Sequence, residues 1–423
     1  MHLASFGLMN PRVSQTEAQL AVTLMMLDTQ KRRISAERQR PWMTAACERL
    51  LFRMLPAASE KCSGPLPRIP RRLLVVKVFG MGDSILIRSI MEMLHERHPD
   101  MEIGVLVGPA TRELMTMGTL LKIHQYTART LSVWSALTLL REIRSCRYDT
   151  ILNCEQRSLA GSAFLSLIGA EYHIGFIPIS DTPKGRFLTH AMRFRDDDSV
   201  WQSFIRLARI IDDSIPQMFL PVSPQLHGEA ENWASSWWNE HIGCLTGPTM
   251  ALHLGSQNRE FSRWPVQRFV EFAERVHIHN RDLLVMLTGT APERELIRKF
   301  IEIYSGPAVD ASEPGSLMRT AGLLKRCKLL ISNDTGIMHL GAALGTPTVG
   351  LFGPNSPRYW APLGPRAAYV YDTKVPCSPC LNLYADRWPL TCTHPEKGRC
   401  MLDITVDAVL SAAKRVIVGE WLN

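Results

Sequence analysis

From Arg72 onward, short apolar runs alternate with amphipathic stretches. Leu73-Leu74-Val75-Val76-Lys77-Val78-Phe79 is a nearly continuous apolar run, as a parallel strand buried on both faces requires. The tight turn Gly80-Met81-Gly82-Asp83 follows. Ile85–Arg97 then has helical spacing and stops before Pro99. The same alternation predicts strands over Ile103–Val107, Lys122–Tyr126, Asp149–Asn153 and Tyr172–Phe176. Helices are predicted between them over Thr111–Met117, Trp134–Cys146 and Leu159–Ile168. Residues 212–248 break the rhythm with Pro216, Pro221, Pro224 and one polar helix near Glu229–Trp238. Beyond them the rhythm restarts. Strands are expected at Met250–Leu254, Leu283–Thr288, Ala308–Ala311 and Leu329–Ser332, with Thr348–Phe352 as the last. The helices between them are expected at Val266–Val276, Pro292–Tyr304, Ser316–Lys325 and Thr335–Leu344. Strands alternating with helices argue an α/β protein with doubly wound parallel sheets. The break divides it into two Rossmann-like domains, residues 72–215 and 249–423, joined by a linker over 216–248. Ligands of open α/β sheets bind beyond the carboxyl ends of the strands, so two such domains put both rims on one central cleft.

Composition changes this picture at one end only. The chain has 423 residues, 46% apolar and 21% charged, which excludes wholesale disorder. Its formal net charge is +8. Residues 1–72 carry 12 Lys and Arg against 5 Asp and Glu, a net of +7, so the two-domain body is nearly neutral. Residues 1–71 are expected to form a basic helical extension, with helices at Leu20–Leu27 and Trp42–Leu55 and a Pro-rich linker after Pro56. An anionic membrane face is one partner for residues 1–70; packing on the N-terminal domain is the other reading. No nucleic-acid module accompanies the charge, so no nucleic-acid partner is expected. No apolar run of about 18 residues and no signal-peptide series occurs. The ten cysteines are too sparse for a disulfide scaffold. The expectation is a cytoplasmic protein with reduced thiols, peripheral to the membrane if the extension binds it.

Three constellations carry chemistry. Gly80-Met81-Gly82-Asp83 lets a ligand approach the backbone and sets Asp83 at the cleft; an N-cap aspartate is the alternative. Gly-x-Gly-x-x-Gly fails at Ile85, which disfavours a dinucleotide cofactor. Ser332-Asn333-Asp334-Thr335-Gly336-Ile337-Met338-His339 ends a strand and opens a small-residue helix, whose free N–H groups suit a diphosphate. The alternative there is a capped helix with a satisfied histidine. His253-Leu254-Gly255-Ser256-Gln257-Asn258-Arg259, then Ser262-Arg263-Trp264-Pro265, puts two guanidinium groups in a loop after a strand. Arginine suits bidentate phosphate recognition; surface solvation is the alternative for each.

Gly82-Asp83, Arg263-Trp264-Pro265, the Asp334-Thr335-Gly336-x-x-His339-x-x-Ala342-Ala343-Leu344-Gly345-x-Pro347 block and Leu351-Phe352-Gly353-Pro354 together resemble glycosyltransferase family 9, the heptosyltransferases of lipopolysaccharide core assembly. The resemblance covers roughly residues 72–415. It implies a GT-B fold with an N-terminal acceptor domain and a C-terminal nucleotide-sugar donor domain. It also implies an inverting, metal-independent transferase that moves heptose from ADP-heptose to the lipopolysaccharide inner core or a related surface glycan, with no cofactor required. Asp83 matches the family's general base, and Gly80 and Gly82 its acceptor-side loop. Asp334, Thr335, Gly336 and His339 match its donor-binding helix start. Ser256, Arg259 and Arg263 complete the donor side, and Glu293 sits where the family holds the nucleotide ribose. One position departs: Ser262 stands where the family usually has lysine. A catalytically weak nucleotide-sugar-binding or scaffold protein therefore stays open, as does another GT-B enzyme with a different donor. Cys377, Cys380, Cys392 and Cys400 form a C-x-x-C…C…C set that suits a structural Zn or Fe ion; reduced structural cysteines are the alternative.

Overall fold

The computed structural model describes residues 62, 64–116, 122–126, 133–156, 159–177, 183–195, 197–226, 228–243, 247–256, 259–312, 314–371, 374–382, 389 and 391–417. The expected helices at Leu20–Leu27 and Trp42–Leu55 lie outside them.

The first half builds β1 (Arg72–Lys77), α1 (Met81–Arg97), β2 (Glu102–Val107), α2 (Arg112–Met115), β3 (Lys122–Gln125), α3 (Val133–Ser145), β4 (Thr150–Asn153), α4 (Leu159–Ser166), β5 (Tyr172–Ile177), β6 (His190–Arg193) and α5 (Val200–Ala208). The second half builds α6 (Gly228–His241), β7 (Thr249–His253), α7 (Val266–His279), β8 (Leu284–Thr288), α8 (Arg294–Ile303), β9 (Ala308–Asp310), α9 (Leu317–Leu324), β10 (Leu329–Asn333), α10 (Gly336–Ala343), β11 (Thr348–Phe352), α11 (Pro357–Trp360), β12 (Ala367–Tyr371), α12 (Arg399–Leu402) and α13 (Val406–Val416).

Both sheets have six parallel strands, in the orders β3-β2-β1-β4-β5-β6 and β12-β11-β10-β7-β8-β9. Each therefore reverses its winding once, between β1 and β4 and between β10 and β7. A crevice opens beyond the strand ends at such a reversal. That geometry places the turn after β1, the segment after β4, the loop after β7 and the start of α10 at the two switch points.

Two pieces of the first half lie beyond the predicted elements. β6 reads His-Ala-Met-Arg and alternates buried with open positions, so it offers no apolar run. α5 carries a capping box in which Ser199 Oγ accepts from the Gln202 amide and the Gln202 side chain returns the bond. That Ser-x-x-Gln spacing is a helix start signal. At the other end Thr348–Phe352 is not the last strand: β12 pairs with it. As a partly open edge strand, β12 lacks the buried run that marks β10 and β11.

The domains meet through apolar side chains. Ile85 and Leu114 of the first join Ile337, Leu340 and Ala343 of the second in one buried cluster. The starts of α1 and α10 approach so closely that a Cβ on Gly82 would lie 2.6 Å from His339 Cδ2, and one on Gly336 would lie 2.6 Å from Met81. Among the described residues, no helix is long and apolar enough to cross a membrane.

Candidate active site

A cavity of about 1270 Å³ lies between the domains and takes lining from both switch points. It brings together Gly80, Gly82, Asp83, Ser256, Arg259, Glu293, Asp334, Thr335, Gly336 and His339, ten positions spread over the sequence. Arg263 is not among the lining residues, whereas Ser262 is. The Arg263 amide donates to Glu260 O at 3.1 Å and closes the short turn there.

On the first domain, Gly80 has φ +90°, a left-handed conformation that glycine adopts without strain. It turns the chain from β1 into α1, and Ser84 Oγ donates back to Gly80 O at 2.9 Å. Asp83 is only 5% exposed. Its Oδ2 lies 2.7 Å from Lys77 Nζ and 3.3 Å from the Gln156 amide nitrogen, which donates to it. Asp83 is thus an ion-paired group in the first turn of α1, and the N-cap alternative fails, because Gly80 is the N-cap. Burial opposes the charge on Lys77, but Asp83 and Glu155 outweigh it and hold the ammonium above its ordinary range. Lys184 Nζ donates to the Glu155 and Gln156 carbonyls, at 2.5 and 3.2 Å. Burial pushes Lys184 down to about 7, against the pull of Glu155.

On the second domain one side chain organises the rim. Asn333, the last residue of β10, is fully buried. Its Nδ2 donates to the Leu254 and Gly255 carbonyls at 3.0 and 3.1 Å. Its Oδ1 accepts from the Trp264 amide at 2.9 Å. Trp264 is buried in turn, and its indole N–H donates to Ile404 O at 2.9 Å. The Trp264-Pro265 element is therefore a structural anchor that starts α7, and the loop before it faces the cavity.

Thr335 occupies the N-cap position of α10 without a side-chain capping bond, and its hydroxyl lies 3.1 Å from Ser332 Oγ. The helix amides that begin at Gly336 face the cavity, giving it the positive end of a helix dipole. Burial pushes His339 down to about 4, so its imidazole is neutral at pH 7. Glu293 Oε2 accepts from the Thr290 amide and hydroxyl, both at 2.7 Å. Its Oε1 occupies the space that a Cβ on Gly255 would need. His253 Nδ1 meets Thr288 Oγ1 at 3.1 Å; burial lowers this histidine while Glu293 opposes the shift.

Asp334 carries a measurable electrostatic signature. Its Oδ2 accepts from Asn355 Nδ2 at 2.7 Å. Desolvation pushes the carboxyl up to about 6, against the pull of Asn355 and of Arg259. Burial also lowers Arg259, with Cys380 and Asp334 opposing it. A raised carboxyl binds its proton more tightly folded than unfolded, so native stability falls as pH rises between the two values. Asp334→Asn is expected to melt higher than the parent at pH 8, by up to about 3 kcal/mol. The gap should close below pH 4, where both carry a neutral group. Thermal melts of the two proteins across that range check it; a constant gap would contradict it.

The four C-terminal thiols lie close enough to influence one another. Burial raises Cys380, helped by Cys377 and Cys392. It pushes Cys400 up to about 12, with the other three adding to the effect. Among the described residues, no group of three or more His, Cys, Asp or Glu is placed to hold a metal ion. None of the four lines the cavity. Of the acidic run before α5, Asp198 pairs with Arg206, and neither it nor Asp197 lines the cavity.

Lys77, Gln156, Asn333 and Asn355 were not singled out as site residues in the sequence reading. Lys77 had a signal, a charge inside an apolar strand. Asn333 stood within the Asp334 block but reads there as a neighbour.

Two facing Rossmann-like domains with one cavity between their switch points define a GT-B protein. The pattern of glycosyltransferase family 9 (heptosyltransferase) matches residues 136–386, more than half of the chain. The chain belongs to that family and is a glycosyltransferase. It is 22% identical over 299 residues to the lipopolysaccharide core heptosyltransferase OpsX of Haemophilus influenzae, covering 69% of this chain and 82% of that protein. Matches to several heptosyltransferases 2 span 36% of their length. The fold is shared with the Escherichia coli ADP-heptose lipopolysaccharide heptosyltransferase II, at TM-score 0.65 and 20% identity, covering 82% of this chain and 98% of that one. It is shared also with a family 9 glycosyltransferase of Veillonella parvula, at TM-score 0.68 and 20% identity, covering 84% and 99%.

Proposed function

We propose that this protein transfers heptose from ADP-heptose to the inner core of lipopolysaccharide or a related surface glycan, with inversion and without a catalytic metal. The observation that carries the reading is the single cavity in which the Asp83 carboxylate of one domain faces the start of α10 in the other. The names of the relatives point to the same donor and acceptor.

In this reading residues 72–215 hold the acceptor and residues 249–423 the donor. Asp83 takes the proton from an acceptor hydroxyl as its oxygen attacks the anomeric carbon. The bond from that carbon to the diphosphate breaks on the opposite face. Charge building on the departing ADP meets the amides of α10 and the guanidinium of Arg259, a preorganised arrangement. Arg259 fills this role rather than Arg263, because only Arg259 lines the cavity. Glu293 Oε1 and the neutral His339 supply hydrogen bonds to ribose and sugar. The reaction takes place in the cytoplasm, and residues 1–70 hold the enzyme at the inner face of the membrane. Co-sedimentation with anionic vesicles, compared with a chain lacking those residues, tests that placement; equal binding removes it.

The donor assignment is tested by offering purified protein ADP-heptose and other nucleotide sugars with a heptose-free core acceptor. ADP release with a product heavier by one heptose is expected. Consumption of a different nucleotide sugar alone would replace the donor. Binding of ADP-heptose with no transfer would favour the binding-protein reading, for which Ser262 at the lysine position is the supporting observation.

A further inference from the structure

Lys77 is the last residue of β1, a strand buried on both faces. A lysine there is 2% exposed, an expensive placement unless its charge is paired. The pair is Asp83 Oδ2 at 2.7 Å, with Glu155 Oε1 further off at 3.9 Å. The same Asp83 oxygen also accepts from Gln156. A Cβ on Gly80 would lie 3.2 Å from it, so the turn closes over that side as well. Oδ2 is therefore fully engaged. Oδ1 is buried and, among the described residues, has no hydrogen-bond partner, although Asp83 lines the cavity. The two oxygens of one carboxylate are in opposite situations.

We propose that Lys77 is the positioning residue of this site: its ammonium holds Oδ2 of Asp83, and Oδ1 is the oxygen that receives the acceptor proton. The inference rests on reading Asp83 as the general base and adds which atom acts and what aims it. In the step, the acceptor O–H bond breaks and its proton passes to Oδ1. The Lys77 proton stays in place, so the ammonium acts through Asp83 without touching the substrate.

Glu155 modulates the pair. Its Oε1 accepts from the Val78 and Phe79 amides at 2.7 and 3.0 Å, which fixes the end of β1. It also places a second carboxylate beside Lys77. The other titratable groups around Asp83 are Lys184 behind the Glu155 and Gln156 carbonyls, the buried Cys154 thiol, pushed up to about 12, and the neutral His339 against Gly82.

The test uses two substitutions with opposite expected signs. Lys77→Met removes the positive charge and favours the protonated carboxyl. The acid limb of the kcat–pH profile should move to higher pH by about one unit, about tenfold in rate on that limb. The donor KM should stay within about twofold, since uniform binding is untouched. Glu155→Gln keeps an Oε1 acceptor for the two amides while removing the competing anion, so the acid limb should move to lower pH. Lys184 is present in both variants and shifts neither sign. ADP binding and a melt establish that each variant is folded; if Lys77→Met is not, the direction in Glu155→Gln decides. A fall in rate with the limb unmoved, or movement of both limbs in one direction, overturns the role of Lys77. Asp83→Asn separates the two levels: full activity there overturns the base reading and this inference together. Its inactivity with an unmoved limb in Lys77→Met overturns the inference alone.

Discussion

Asp83→Asn should lower kcat by about 10²–10⁴-fold while ADP still binds. The substitution is isosteric, so it tests chemistry rather than shape. In the parent, Lys77 and Gln156 both direct protons at Oδ2. The asparagine must therefore turn its oxygen to that side. Its NH2 then stands where Oδ1 stood, a donor in the place of the acceptor that the proposed proton transfer needs. Stability falls as well, since a buried pair broken on one side costs about 3–5 kcal/mol. Glu155 at 3.9 Å remains as an anion for Lys77 and offsets part of that. Steady-state kinetics beside a melt separate the two effects. A loss of less than tenfold in kcat would remove Asp83 from the proton transfer.

Gly82→Ala should cost about 100-fold in kcat/KM with the melting temperature nearly unchanged. Alanine improves the intrinsic helix propensity of α1 by about 1 kcal/mol, which works toward stability. The added methyl, however, would lie 2.6 Å from His339 Cδ2 and 3.3 Å from Cγ. The obstacle is a buried ring on the opposing helix, not the flexible end of a long side chain. Relief comes from parting the starts of α1 and α10, which bring Asp83 and Gly336 to the cavity. A misplacement of about 1 Å between reacting groups can cost about 100-fold. Gly228→Ala is the matching control: it too begins a helix, and a Cβ there meets nothing within 4 Å. Unchanged kinetics in Gly82→Ala would mean that the gap between the helices does not set the reaction geometry.

The double sheet was legible because most of its strands are runs such as Leu73–Val76 or Leu329–Ile331, which only a sheet covered on both faces can bury. β6 and β12 carry no buried apolar run; the other two edge strands, β3 and β9, were legible from the strand–helix alternation around them. The helix α5 was legible in principle through Ser199 and Gln202. At the site, Asp83 and the Asp334–His339 stretch stand out because chain order alone puts them after strands. Lys77 shows only as a charge inside an apolar strand, and Gln156 does not show at all. The meaning of Gln156 comes from a side-chain meeting with Asp83 across 73 residues, which no local spacing encodes. Arg263 shows the reverse: two arginines look equivalent in a loop, and only the turn closed at Glu260 O separates the one that lines the cavity from the one that does not.

The Asn333 amide has a consequence for engineering. It clamps the loop between β7 and α7 at both ends, through the carbonyls of Leu254 and Gly255 and the amide of Trp264. The ends of that loop are thus set by the neighbouring strand and not by the loop's own residues. A change at Ser262, which lines the cavity, therefore falls inside a frame that the neighbouring strand holds, with little demand on the rest of the fold.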